Sequence, residues 1–276
     1  MEARMKYDLI ALDLDGTALN PHNTVSPAVR EAVAWARSCG VHVVISTGRI
    51  CSEAAEFAQM MGANDEMVTS GGATLSSVSK GGCTMRISIP WEPAVRAAAG
   101  VERVGMTSMI YAGEHLYITP YDEMFFSQYK TNEGFLSSKQ VVPSVAEYIA
   151  THHLSVDKIF CRSREPFMLQ MARRQIASIP GVRVMSSADD NIEIISPLAD
   201  KGSALTMLCT HLGTTIDRCI AIGDSENDLE MLHAVGMPVA MGNANDEVKS
   251  IAKYITDTNA NDGVAKAIYY LLGRER

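Results

Sequence analysis

With 276 residues, 47% hydrophobic and 20% charged, the chain has apolar material for one large domain or two ordinary ones, with no staples needed. Its 24 lysines and arginines face 32 acids, a formal charge of −8, which argues against nucleic-acid backbones and anionic membranes as partners, since no counter-charge is on offer. Six cysteines without Cys-x-x-Cys argue against a structural zinc site, and neither a signal-like segment nor a membrane-spanning apolar run can be read, so a reducing cytoplasm is the expected location.

The first elements alternate. Leu9-Ile10-Ala11-Leu12 is a continuous apolar run ending in Asp13, as in a strand buried on both faces. Ser26 and Pro27 supply an N-cap and first helical residue; Val29, Ala32, Val33 and Ala36 follow at helical spacing, and Gly40 closes the helix. A strand over Val41–Ile45 runs into Ser46-Thr47-Gly48-Arg49, a helix is expected over 51–61, and a third strand over Met67–Thr69.

The middle reads differently. A strand is expected over Arg86–Ile89, a helix over 92–103, and a hairpin from Thr107–Tyr111 and Leu116–Thr119 around Ala112-Gly113-Glu114. A strand near Lys158–Cys161, a helix over 165–178 and a second hairpin from Val182–Met185 and Ile192–Ile195 complete an α+β insert, placed over 84–194. Tyr117, Tyr121, Phe125 and Phe126 there could line a pocket, although aromatic residues so spaced more often fill a core.

Alternation then returns. Lys201 opens a helix marked by Leu205, Leu208 and Leu212 and stopped by Gly213; Cys219–Ile222 is a strand ending in Gly223-Asp224. Leu229, Leu232 and Val235 mark a helix, Val239–Met241 a strand, and helices are expected over 245–252 and 263–272. Strand–helix alternation predicts an α/β fold for 1–83 and 195–276, a parallel sheet wrapped by helices.

Four polar clusters stand at strand ends or helix starts, where an open parallel sheet faces its ligand crevice. Asp13 and Asp15 alternate, so both can point the same way before Gly16 permits a turn; two carboxylates held together raise the pKa of one, which suits a nucleophile beside a general acid. Alone, this pair fits a surface turn equally well. Thr47 and Gly48 can hold a phosphoryl oxygen through a hydroxyl and an amide, or form an ordinary turn. Lys201 opposes the macrodipole of the helix it opens, which calls for an anionic partner. Asp224 stands at a strand end with Asp228 in the following turn, and Mg²⁺, which takes few carboxylates plus waters and phosphate oxygens, makes Asp13 and Asp224 the natural pair.

In this order the four clusters resemble the haloacid-dehalogenase superfamily of phosphohydrolases, most closely its Cof-like sugar-phosphatase branch. Asp13-Leu14-Asp15-Gly16-Thr17, Thr47-Gly48-Arg49, Lys201-Gly202 and Gly223-Asp224-Ser225-Glu226-Asn227-Asp228 match its four motifs; Gly71-Gly72-Ala73 departs from the Asn-Gly-Ala common there. The resemblance implies a Rossmann-like, doubly wound catalytic core with an inserted α+β cap that selects the substrate. It implies a Mg²⁺-dependent phosphatase acting on a small phosphorylated metabolite, a sugar phosphate by family habit, through an aspartyl-phosphate on Asp13. Asp15 would serve as acid and base; Asp13, Asp224 and the Asp15 backbone carbonyl would hold Mg²⁺, supported by Asp228. Thr47, Gly48, Lys201 and Asn227 would hold the phosphate. A phosphomutase using the same nucleophile and a phospho-accepting regulator remain open alternatives; oligomeric state is unreadable.

Overall fold

In the computed structural model, which describes residues 6–127 and 132–274, the chain builds two sheets. Strand β1 (Leu9–Leu12), helix α1 (Pro27–Ser38), β2 (His42–Ser46), α2 (Cys51–Met61) and β3 (Glu66–Thr69) alternate, followed by β4 (Thr74–Ser77) and β5 (Gly82–Arg86). The middle contributes α3 (Trp91–Val104), β6 (Thr107–Ala112), β7 (His115–Ile118), α4 (Pro120–Phe126), α5 (Glu133–Ser138), β8 (Lys139–Val141), α6 (Val145–His152), β9 (Lys158–Arg162), α7 (Pro166–Ala177), β10 (Arg183–Met185) and β11 (Asn191–Ile195). Then come α8 (Lys201–His211), β12 (Cys219–Gly223), α9 (Leu229–Ala234), β13 (Met237–Ala240), α10 (Asp246–Ile251), β14 (Tyr254–Ile255) and α11 (Gly263–Leu271). Among the described residues no helix is long and apolar enough to cross a membrane.

The first sheet has the order β14-β13-β12-β1-β2-β3-β4-β5 and is parallel from β14 to β3. It is the parallel sheet wrapped by helices that the alternation predicts, wound as the Rossmann-like, doubly wound core that the resemblance implies. Winding proceeds outward from β1 through β2 and β3, then resumes on the other side with β12 to β14. The direction reverses between β1 and β12, and a ligand crevice opens at such a switch point, beyond the carboxyl ends of the strands. The sequence directs this locally. All four residues of β1 are fully buried because both faces are covered, and α1 starts where Ser26 Oγ accepts the Val29 N–H at 3.2 Å ahead of Pro27.

One expected strand is displaced. The strand near Arg86–Ile89 lies instead at Gly82–Arg86, antiparallel to β4 at the edge of the first sheet, which therefore continues past position 84. Beyond it the chain crosses toward the second sheet, and Ile89 forms only an isolated bridge to Val156. Hydroxyls rather than apolar side chains fill the inner side of β4: Thr69 Oγ1 lies 2.6 Å from Thr74 Oγ1 and 2.7 Å from Ser76 Oγ. Such a strand shows no hydrophobic alternation.

The second sheet, β10-β11-β9-β6-β7-β8, is antiparallel except for the β7–β8 pair. Its strands alternate cleanly. Ile110, Ala112, Ile159, Cys161, Ile192 and Ile194 turn to a core shared with α3, α6 and α7. The intervening residues turn the other way, where Met109, Tyr111, Phe126 and Phe135 form a separate apolar cluster with Phe160 packed against it. Tyr117 belongs to the helix-covered core, Tyr121 is exposed and Phe125 packs against the cluster without lining the cavity, so Phe126 is the member of the four candidate aromatics that faces the first sheet's crevice.

Candidate active site

The carboxyl ends of β1, β2 and β12 and the start of α8 converge at the switch point. Asp13 follows β1 directly and is almost fully buried. The turn after it needs Gly16: its φ is +81°, and a Cβ there would lie 2.3 Å from Asp224 Oδ2. Lys201, the first residue of α8, reaches across with its ammonium fully buried and donates to Asp13 Oδ1 and Asp228 Oδ1, each at 2.6 Å. These are the anionic partners that its place on the helix calls for. Asp228 Oδ2 in turn accepts the N–H groups of Asp224 and Ser225 at 3.0 and 3.2 Å, which fixes the turn after β12. Asp224 accepts the Thr17 hydroxyl at 2.8 Å.

The charges do not balance. Asp13, Asp224 and Asp228 can bring one carboxylate oxygen each within 4.8 Å of one another, and Lys201 is the ammonium among them, leaving a formal −2. Burial, and then the Asp228 charge, push the Asp13 carboxyl well up against the pull of Lys201. The same two causes push Asp224 up to about 7, opposed by its bond from Thr17. Burial alone would discharge Lys201, but Asp13 and Asp228 together hold it firmly protonated. A divalent cation would cancel the excess. With Asp228 committed to Lys201 and two amides, Asp13 and Asp224 are the carboxylates left to hold it, a set that suits Mg²⁺ with waters and phosphate oxygens completing the shell.

Asp15 departs from expectation. Its carboxylate does not join that cluster but takes both oxygens to Arg49, whose Nε and NH2 donate at 2.8 and 2.6 Å. Burial would raise this carboxyl; the guanidinium overrides that and holds it below the usual range, so the raised member of the pair is Asp13. Of Asp15, only the backbone carbonyl is left as a metal ligand. Arg49, to which the sequence reading assigns no task, also lies 3.9 Å from Glu53 and over the Phe57 ring. The signal was there: it follows Thr47-Gly48 directly.

Thr47 Oγ1 accepts the Arg49 N–H at 3.2 Å, which leaves its own proton to donate. The Gly48 carbonyl accepts from Lys158 Nζ of β9, so the second sheet touches the loop beside Asp13. Asn227, nearly buried, accepts the Ser225 hydroxyl at 3.0 Å. Gly71, in place of the usual Asn, puts the site of a side chain 3.8 Å from Glu193 Oε2, so that carboxylate, also from the second sheet, stands where an Asn would reach. Asp13, Asp15, Gly48 and Asn227 line one cavity of about 330 Å³ between the two sheets. The structure thus gathers Asp13, Asp224, Asp228 and Lys201 in one cluster beside the cavity, with Gly48 and Asn227 on its wall, Thr47 next to Gly48, and the Asp15 carboxylate turned to Arg49.

The sequence model of the haloacid dehalogenase-like hydrolases matches residues 10–268. The chain is similar to 5-amino-6-(5-phospho-D-ribitylamino)uracil phosphatase YcsE of Bacillus subtilis, with 31% identity over 94% of each chain. It is also similar to pyridoxal phosphate phosphatase YbhA of Escherichia coli, with 29% identity over 96% of this chain and 98% of that one. A solved haloacid dehalogenase-like hydrolase from B. subtilis superposes with a TM-score of 0.85 at 27% identity, covering 96% of this chain and 100% of the other.

Proposed function

The chain belongs to the haloacid dehalogenase-like hydrolases and is a phosphoric monoester hydrolase, and from that premise we propose that it is a Mg²⁺-dependent phosphatase in which Asp13 attacks the phosphorus of a small phosphorylated metabolite. The observation that carries the reading is the buried Asp13 carboxylate, held through Oδ1 by Lys201 and lining the cavity, with Oδ2 left for attack. Residues 1–83 and 195–276 act as the catalytic core, and 84–194 as the cap that meets the leaving group.

Asp13, Asp224 and the Asp15 backbone carbonyl would hold Mg²⁺, which would supply positive charge that keeps both carboxylates ionised and eases the approach of an anion to a phosphate dianion. Asp13 forms a bond to phosphorus as the bond to the leaving oxygen breaks, giving an aspartyl-phosphate. Lys201, Thr47, the Gly48 amide and Asn227 hold the equatorial oxygens. Asp15 gives the leaving oxygen a proton, then takes one from the water that attacks phosphorus and frees Asp13. The Arg49 grip holds Asp15 ionised, so it must loosen before Asp15 can carry a proton. The relatives are named for a phosphoribitylaminouracil and pyridoxal phosphate, and the resemblance implies sugar phosphates; all are small phosphate esters.

The test is phosphate release from an ester panel with Mg²⁺ or with chelator, in wild type, Asp13→Asn and Asp15→Asn. Release should fall to background with chelator and in Asp13→Asn, while Asp15→Asn still binds phosphate but does not turn over. Release that survives both chelator and Asp13→Asn would sink the proposal; an isomeric phosphate in place of free phosphate would make the enzyme a mutase.

A further inference from the structure

We propose that Lys158, on β9 of the second sheet, is a positioning residue for phosphoryl transfer. By holding the Gly48 carbonyl it sets the one peptide group that aims the Thr47 hydroxyl at the phosphate. This rests on the phosphatase reading and adds to the same site a residue from the other sheet. The loop after β2 is held from two sides. Within the core, the Thr47 N–H donates to the Val68 carbonyl at 2.9 Å, the Thr47 carbonyl accepts the Gly71 N–H at 3.0 Å, and the Arg49 carbonyl accepts the Ser70 N–H at 2.8 Å. The Gly48 carbonyl, between those two, takes its donor from Lys158 Nζ instead. The same planar peptide ends in the Arg49 N–H, which donates to Thr47 Oγ1 at 3.2 Å. That unit is therefore gripped at its oxygen by Lys158 and at its nitrogen by Thr47, whose hydroxyl proton is directed away from it toward a phosphoryl oxygen. The side chain that follows is Arg49, which holds Asp15. A tilt of this peptide would displace the Thr47 hydroxyl and Arg49 together.

The glycine at 48 points the same way. Its φ lies outside the left-handed region, so the backbone conformation does not call for glycine there. Space does: a Cβ would lie 3.1 Å from Lys158 Nζ and 3.5 Å from both carboxylate oxygens of Glu193. The ion pair contributed by β9 and β11 thus presses on the bare position of Thr47-Gly48-Arg49. Nor can Lys158 easily give way. Its side chain is only 3% exposed, it pairs with Glu193 Oε2 at 3.3 Å, and its ammonium lies 4.4 Å over the Tyr111 ring. Glu193 is fixed in turn by the Ser187 hydroxyl at 2.6 Å. A charge this buried is costly unless paired, and Glu193 offsets it. What the pair gains for the site is a charge-assisted hydrogen bond to the Gly48 carbonyl, stronger than a neutral donor would make. The ammonium is committed to the loop before any leaving group enters the cavity.

Lys158→Met keeps the stem and removes the ammonium. Lys158→Met combined with Glu193→Gln, compared with Glu193→Gln alone, does so without stranding a buried carboxylate, and serves if the single variant does not fold. The full chain is assayed with Mg²⁺ on two esters with unlike leaving groups that wild type hydrolyses, such as p-nitrophenyl phosphate and ribose 5-phosphate. Loss of Lys158 should lower kcat/KM about 10–100-fold, and by the same factor within about threefold for both esters, because the loop and not the leaving group is disturbed. The inhibition constant of inorganic phosphate, which has no leaving group, should rise severalfold. In a Thr47→Val background the same change should cost far less, since the hydroxyl it aims is gone. A merely structural role would lower the thermal midpoint and leave these ratios unmoved. A loss confined to one ester, an unchanged inhibition constant for phosphate, or a cost that adds in full to that of Thr47→Val overturns the proposal. Release by wild type with no such loss in the folded variants defeats this inference alone. No release from any ester by wild type removes the phosphatase reading, and this inference with it.

Discussion

At the scale of single residues, the crowding of Asp13, Asp224 and Asp228 around one ammonium has a measurable consequence. A carboxyl raised to about 7 in the folded chain keeps a proton that the unfolded chain has lost above about pH 4. In metal-free protein the Asp224 contribution to stability is therefore complete below about pH 4 and declines as pH rises to about 7, with Asp13 acting in the same direction. Thermal unfolding in chelator across that window should show a falling midpoint. Added Mg²⁺ should restore it at neutral pH, and Asp224→Asn should flatten the decline; a flat profile in chelated wild type would contradict the crowding. Asp13, Asp224 and Lys201 were legible in the sequence because each ends an apolar run or opens a helical one. The Arg49–Asp15 pair was not, because neighbours in space separated by 34 positions leave no periodic trace.

At the scale of elements, the turn after β1 sets the geometry of the site. Gly16 has a left-handed backbone, its carbonyl accepts from Asn243 Nδ2 at 2.8 Å, and Asp224 fills the space a side chain would need. Gly16→Ala should cost about 1–2 kcal/mol from backbone strain alone, and its displacement of Asp224 should weaken Mg²⁺ binding further. The expected signature is a lower apparent Mg²⁺ affinity, read from activity titrations, together with a modest drop in chemical-denaturation stability; wild-type Mg²⁺ affinity would show that the turn is not critical. Elements with a long apolar stripe, such as α1 and α2, lie where their periodicity puts them. The short α4 shows little periodicity: it is anchored by Asp122, which accepts the Ser108 N–H at 2.8 Å and the Thr119 hydroxyl at 2.6 Å.

At the scale of the whole molecule, two cores lie on either side of one cavity. Ile194 is fully buried in the core of the second sheet and its helices. Ile194→Ala should cost about 2–5 kcal/mol. If 84–194 is a unit of its own, the loss of hydrogen-exchange protection should stay within it, with 1–83 and 195–276 keeping theirs. Uniform loss through both segments would mean one cooperative body. Contacts between the two parts are both polar, such as Lys158 on the Gly48 carbonyl and Arg173 on Glu226 at 2.8 Å, and apolar, with Ile50 packed among Met109, Tyr111 and Phe135 and Ala73 against Met185 and Ile195.

The sequence by itself determined the alternating core, its four polar clusters and the presence of an α+β insert, because buried parallel strands are unbroken apolar runs whose ends mark the crevice. Tertiary structure alone decided three things. It turned Asp15 to Arg49, placed a strand of hydroxyls next to the sheet edge, and aimed Met109, Tyr111 and Phe160 at the cavity between the sheets while their neighbours Ile110 and Ile159 face the helices. Alternation says that successive residues face opposite ways; only packing says which way is the active site.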